Sequence, residues 1–383
     1  MQPEELVKLF TQYCPIWYYT KQEPYMPATF EDIISISTLA ARPPRNRTPA
    51  AQIEYTALQK LMGPELAITP ERLDNIIKSY APAITEKMLI NINKAKRQSI
   101  PTGKQILCRT MGVWHRTPAE SNGLYEEYID LQYITLYAWN GTLDHHAFDA
   151  ENVVVRLVRQ NTTSSGNWDI KRVYGSSHGN GMWTDKRFLE LDDNKRPVIY
   201  CAAESHSMYF KPGVYKRMFR FGDDICRRDI RWDPTEFIYV PMASSAPILR
   251  LDLLTKQIVK TNIQGQPLDY YRYTGFIGDN NSNQVFPLSI KYLDTDTNNL
   301  DGYYKYEGGI NNLFNGRHAK ISTTLKYIIH ILAYTILVLA CFVFFTKQTD
   351  SRVYKILNSY KWLLAALVVP ALVIVAIMYL FVN

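Results

Sequence analysis

Apolar positions along this chain change period twice, and each change marks a different kind of structure. From Ala51 to Met62, from Pro70 to Tyr80 and from Ile84 to Arg97 they recur every three to four residues, the spacing of amphipathic helices. Thr69 stands where its hydroxyl can cap the second of these. The Pro- and Arg-rich segment Arg42–Arg47 precedes them as a loop, so residues 40–100 read as a helical insertion. A short helix is also predicted over Glu4–Tyr13, followed by the extended run Cys14–Tyr19.

From Gln105 the period becomes two. Ile106–Trp114, Tyr125–Trp139, Val153–Val158, Ile170–Tyr174, Arg187–Glu190, Val198–Ala202 and Phe237–Val240 are predicted strands separated by Gly, Asn and Asp turns. Short strands in series, with no helices alternating between them, argue for an antiparallel β-sandwich or jelly-roll-like domain. The expected fold class is therefore mainly β. Past Pro241 the pattern weakens: Leu249–Ile258 fits helix or strand, and Asp279–Asn283 and Asp294–Asp301 are Asn/Asp-rich loops.

The last change is to uninterrupted apolar sequence. Tyr327–Phe345 and Trp362–Val382 are runs of 19 and 21 residues. At about 1.5 Å rise per residue each can cross a hydrocarbon core of roughly 30 Å. Two C-terminal transmembrane helices are expected, forming a hairpin in the lipid bilayer with residues 346–361 as a basic linker and residues 1–320 as one large domain. Tyr327, Trp362 and Tyr379 sit where interfacial aromatics belong, and Pro370 can kink the second span. The positive charges flanking the spans nearly balance, so orientation rests on the N-terminus. Met1-Gln2-Pro3-Glu4-Glu5 has neither a basic nor an apolar leader, which points to a large domain facing the cytosol.

Composition narrows the classes further. Of 383 residues 46% are hydrophobic and 13% aromatic, with 27 tyrosines, enough for a sizeable core rich in amphipathic rings. The five cysteines, Cys14, Cys108, Cys201, Cys226 and Cys341, are an odd, scattered set without Cys-x-x-Cys spacing, which argues against a disulfide framework and against a structural zinc site. In a reducing compartment the sequons at Asn46, Asn140, Asn161 and Asn280 stay bare. A net charge of +7 is too diffuse for a nucleic-acid footprint, so no nucleic-acid partner is expected.

Candidate chemistry concentrates in Asp144–Arg156. Val153, Val154 and Val155 are strand formers, and in an extended chain Asp149 and Glu151 lie on one face, roughly 7 Å apart, with His146 just upstream. Two carboxylates and an imidazole can supply part of the shell of a hard divalent cation, Ca²⁺ or Mg²⁺. The plainer alternative is a solvated polar strand end. His178 and His206, both in Ser-rich loops, are candidates to complete a site with His146. Ser177 and Ser205 adjoin these histidines in sequence, but neighbours on a strand face opposite ways and no nucleophile elbow occurs.

Several separated motifs together resemble one family. They are Cys14-Pro15-Ile16-Trp17-Tyr18, Tyr25-Met26-Pro27-Ala28, Tyr137-Ala138-Trp139-Asn140-Gly141, His146-Ala147-Phe148-Asp149-Ala150-Glu151, Ser177-His178-Gly179 with Trp183, Arg196-Pro197-Val198-Ile199-Tyr200 and Ser205-His206-Ser207. In order and spacing over about residues 12–240 they resemble the vacuolar protein sorting-associated protein 62-like family. That resemblance implies a β-rich fold without a settled biochemical activity. It also implies a central His followed by Asp-Trp-Glu, a pattern related to the one that binds a divalent cation in necrosis- and ethylene-inducing toxins. The metal set expected here is accordingly His146, Asp149, Glu151 and His206. Ala150 stands where the family has Trp, which removes a packing anchor beside the acids.

The densest basic stretch carries Lys216, Arg217, Arg220, Arg227 and Arg228, interrupted by Asp223, Asp224 and Asp229. It reads as a salt-bridged surface first and a binding site for anionic lipid headgroups or an acidic partner second. The function expected from the whole is a membrane-anchored, non-enzymatic tether or scaffold. Two settings fit: membrane trafficking, or the internal membrane of a large DNA virus, where the domain would bridge bilayer and capsid. The alternative is a metal-dependent hydrolase or a lipid- or glycan-binding domain using Asp149, Glu151 and the histidines.

Overall fold

Strict alternation in the middle of the chain produces its longest strands. In the computed structural model, which describes residues 3–44, 48–116, 126–141, 145–160, 167–177, 180–215, 223–241, 245–255, 257–262, 264–279 and 283–285, these are β5 (Gln105–Arg116), β6 (Glu126–Asn140) and β7 (His146–Gln160). They are antiparallel neighbours, with Tyr133 opposite Val153 and Leu131 opposite Val155. β8 (Asp169–Ser177) and β9 (Asn180–Asp185) extend the sheet on one side, and β15 (Glu236–Tyr239), β16 (Leu249–Asp252) and β17 (Gln257–Val259) on the other, making eight strands.

Because side chains alternate across a strand, each face of this sheet builds its own core. Ile129, Leu131, Tyr133 and Tyr137 of β6 join Val153, Val155 and Leu157 of β7 on one face. They pack against α1 (Pro3–Gln12) through Leu9 and Phe10 and against a four-stranded sheet, ordered β11-β10-β1-β14, through Trp17, Ile199, Cys201 and Trp232. Those strands are β1 (Ile16–Tyr19), β10 (Val198–Cys201), β11 (Met208–Tyr209) and β14 (Ile230–Trp232). A short ribbon of β12 (Gly213–Tyr215) and β13 (Asp224–Cys226) follows β11.

On the other face Ile134, Leu136 and Ala138 meet α2 (Phe30–Ser35) and a five-stranded sheet, ordered β19-β18-β4-β2-β3. Thr29 caps α2, accepting from the Asp32 amide at 3.0 Å, and the helix buries Phe30, Ile33 and Ile34. The sheet consists of β2 (Ser37–Ala41), β3 (Leu66–Ala67), β4 (Met88–Ile92), β18 (Phe276–Gly278) and β19 (Asn283–Val285).

The protein is mainly β, and its sheets are mixed where an antiparallel arrangement was expected. β1 runs parallel to β10, β5 to β15 and β4 to β18. Helices α3 (Pro49–Met62) and α4 (Pro70–Ser79) form where the helical spacing predicted, capped by Thr48 and Thr69. The third predicted helix, Ile84–Arg97, does not form. It divides into the single turn α5 (Pro82–Thr85), strand β4 and a 3-10 segment, because Met88, Leu89, Ile90 and Ile92 are all buried, as in a strand enclosed on both faces. Residues 40–100 therefore contribute β4 to the interior of the second sheet and are not a purely helical insertion. Arg187–Glu190, predicted as a strand, starts with the 3-10 turn Lys186–Phe188.

Among the described residues no helix is long and apolar enough to cross a membrane. The two expected transmembrane helices, 327–345 and 362–382, lie outside the described residues.

The central sheet also encloses an ion pair. Asp130 faces Arg156 across β6 and β7, and the guanidinium donates through Nε and Nη2 to the two carboxylate oxygens, each at 2.8 Å. The side chains are 1% and 3% exposed. Burial pushes the Asp130 carboxyl up, and Arg156 pulls it back down. Arg156→Met, which strands the carboxylate, should lower unfolding free energy by about 3–5 kcal/mol in a urea titration of the detergent-solubilised chain. Adding Asp130→Asn should recover part of that loss.

Candidate functional site

Asp149 and Glu151 leave β7 on the face that meets the four-stranded sheet, and they are enclosed. The two residues are 6% and 8% exposed. The chain reaches this arrangement through Phe148, whose φ of 68° is left-handed and breaks the alternation of β7. Ala147 and Phe148 consequently enter the same core, opposite the acids.

His206 arrives from the loop between β10 and β11 and is 0% exposed. Its Nδ1 lies 3.0 Å from Asp149 Oδ2 and its Nε2 3.5 Å from Oε1 of Glu23, a residue of the turn after β1. Tyr137 of β6 stacks on the imidazole with ring centroids 3.7 Å apart and planes 7° from parallel. Burial by itself would lower the histidine's pKa. The hydrogen bond to Asp149 and the neighbouring Glu23 carboxylate outweigh it and hold the ring up to about 10.

Neighbouring groups complete the shell. Asn140 Nδ2 donates to Asp149 Oδ2 at 3.1 Å, and the Ala150 amide donates to Asp149 Oδ1 at 3.0 Å. The Glu204 and Tyr25 amides donate to Glu23 at 2.7 and 2.9 Å. Ser176 donates to Glu151 Oε2 and accepts from the Asn152 amide at 2.7 Å. Burial first, and then the charge of Asp149, push the Glu151 carboxyl well above the usual carboxylate range. Space is tight at Gly141, where the Glu204 loop meets the end of β6: a Cβ there would stand 3.1 Å from the Tyr25 ring and 3.2 Å from Glu204.

Of the predicted metal set, the structure brings together Asp149 and His206, with Glu151 two residues along the same strand face. His146 is turned away, its Nδ1 2.7 Å from the Phe148 carbonyl. Among the described residues no group of three or more His, Cys, Asp or Glu is disposed to hold a metal ion. His178 lies outside the described residues, as do Lys216, Arg217 and Arg220. Arg227 is exposed, whereas Arg228 pairs with Glu190, donates to Tyr200 Oη at 2.9 Å and lies over the Tyr18 ring. The serine hydroxyls avoid the histidine: Ser205 donates to Asp224 Oδ1 at 2.7 Å, and Ser177 is 3.3 Å from Tyr209 Oη.

Sequence reasoning missed Glu23, Asn140, Tyr137 and Ser176. Asn140 and Tyr137 lay inside a motif already singled out, and Glu23 two residues before another. Ser176 carried no signal of its own, since its role depends on β7 and β8 being paired.

Comparison with known proteins gives a family for this region. Residues 127–260 match the model of vacuolar protein sorting-associated protein 62. No curated protein matches. Among solved structures, similarity is found to necrosis and ethylene inducing protein 2 from the causal agent of cocoa's witches' broom disease, at 21% identity and a TM-score of 0.19 over 28% of this chain and 45% of that chain. NLPPya in complex with glucosamine is similar at 14% identity and a TM-score of 0.25, over 61% of this chain and 72% of that chain. A structure described as a toxin fold as basis for microbial attack and plant defense is similar at 15% identity and a TM-score of 0.27, over 63% and 76%. This chain thus spans less than half of the first of these proteins. The matched residues 127–260 hold most of the central sheet together with Asp149, Glu151 and His206, so this region is similar to the vacuolar protein sorting-associated protein 62 family.

Proposed function

We propose that this chain is a non-enzymatic tether or scaffold held at a membrane, its β-rich domain acting as a binding module built around a closed charge cluster. The observation that carries this reading is enclosure. A hydrolase of the serine–histidine type needs its histidine within reach of both a nucleophile and a substrate. His206 has both ring nitrogens turned to carboxylates and one ring face under Tyr137, while the nearby serine hydroxyls serve Asp224 and Tyr209.

The membrane part of the reading rests on the apolar runs 327–345 and 362–382. With that hairpin in the bilayer, the large domain faces the cytosol, or the capsid side of a viral internal membrane, and its partners are trafficking or capsid proteins. For the cluster we read the His206 imidazolium as the cation, in the place of Ca²⁺ or Mg²⁺. Three features support this: a ring flanked by two carboxylates, a pKa held at about 10, and the absence of a lone pair for a metal on a protonated imidazole. On this reading His206 is not a metal ligand.

Alkaline carbonate extraction tests the membrane part: full-length chain should stay in the pellet, and its release would refute the anchor. Chelation tests the cluster. EDTA should leave the melting temperature of the detergent-solubilised chain unchanged, and a fall reversed by Ca²⁺ or Mg²⁺ would install a metal where we place the imidazolium.

A pH series adds the sign. The folded pKa of His206 is raised from 6.5 to about 10, so its contribution is complete below pH 6.5 and is lost as pH rises through about 10. His206→Gln should therefore destabilise by about 3 kcal/mol at pH 6, as expected for breaking a buried charged pair. The deficit should shrink steadily toward pH 10 in denaturant titrations.

A further inference from the structure

One buried charge is used neither by the cluster nor by the hydrophobic cores. Arg109 of β5 faces Gln132 of β6 in register, so their side chains share the sheet face that also carries Leu107 and Ile134, with Cβ atoms about 5 Å apart. The residues are 2% and 1% exposed. Neither Nε nor Nη1 of Arg109 has a hydrogen-bond partner, and Oε1 of Gln132 has none. Open donors thus lie on two edges of the guanidinium, beside an open acceptor.

Among the described residues the sheet does not supply the missing counter-charge. Asp130, two residues from Gln132 on the same face, gives both carboxylate oxygens to Arg156. Gln132 cannot turn freely, because its Nε2 points at Asn152 Oδ1, 3.4 Å away. Positive potential is reinforced by Arg272, which is tied to the Ala246 carbonyl. Burial, and the charge of Arg272 against the pull of Tyr239, bring Arg109 down to about 10. A guanidinium does not escape by deprotonating at neutral pH, so an anion is the group that matches it.

We propose that Arg109 and Gln132 form a buried site for an oxyanion that carries its own hydroxyl, of the hydrogen-phosphate type. The oxyanion accepts from Arg109 at one of these open edges, and its hydroxyl donates to Gln132 Oε1. The donor requirement at Gln132 selects against sulfate and chloride, which have no proton to give at neutral pH. The same chemistry serves free phosphate and a phosphomonoester.

Full-length protein, purified in detergent without phosphate, is melted in inorganic phosphate, glycerol phosphate or sulfate at matched ionic strength. Inorganic phosphate or the monoester should raise the melting temperature saturably, with sulfate at least about tenfold weaker in half-saturating concentration, the worth of one hydrogen bond to a charged group. Whichever phosphate compound acts identifies the source. Arg109→Met should abolish the response. Gln132→Leu, which leaves the charge in place and keeps the test open if Arg109→Met fails to fold, should bring phosphate and sulfate together. No anion response in the wild type, or an undiminished response and preference in these variants, would overturn the site.

Discussion

The rest of this structure depends on one ring, the His206 imidazole between Glu23 and Asp149. Glu23 belongs to the turn after β1, His206 to the loop between β10 and β11, and Asp149 to β7, so the contact joins the four-stranded sheet to the central one through charge as well as packing. Without the ring, two carboxylates would face each other beside Tyr19, Tyr137 and Cys201 in a core that excludes water. With it, the negative charge is answered inside the fold. A fully buried charge of this kind adds specificity of pairing rather than simple stability, because an out-of-register approach of the small sheet would leave acids unpaired.

Backbone strain gathers at the same place. Among the described residues four non-glycine positions have a left-handed φ, and Phe148 at 68°, Glu204 at 62° and His206 at 57° are three of them. Each such conformation costs about 1–3 kcal/mol and persists only where its surroundings over-determine it. Here they do: Phe148 is locked in the opposite core, the Glu204 carbonyl accepts from the Gly141 amide at 3.0 Å, and His206 is held through Nδ1 by Asp149 and across its ring face by Tyr137. The strain orients the cluster, and the cluster's hydrogen bonds offset the strain.

The central sheet treats its two faces differently. One is apolar along β6 from Ile129 to Tyr137 except Thr135, while the other changes from Ile134 and Leu136 to Gln132 and Asp130 as it runs toward the start of the strand. Along that polar part Asp130 and Arg156 close on each other, Trp183 lies under Arg156 and Arg172 at 4.6 and 4.4 Å, and Arg109 is left for an oxyanion. Charge placed inside a sheet in this way is matched group by group, since a low dielectric penalises every unmatched one.

By itself the sequence determined the mainly β class, the strands β5 to β8, the extents of α3 and α4 with the Thr69 cap of α4, and the shared face of Asp149 and Glu151. These follow from local rules: side-chain period, β-branching and capping hydroxyls act within a few residues. Only the tertiary structure decided that β1, β5 and β4 each gain a parallel partner, since parallel neighbours are distant in sequence and leave no turn to mark them. It turned the apolar run Met88–Ile92 into a strand, because a fully buried segment loses the periodicity that tells helix from strand. At the site it exchanged His146 for Glu23, whose partner His206 is 183 residues away. Which carboxylate an imidazole meets across sheets is set by packing, and packing has no period to read.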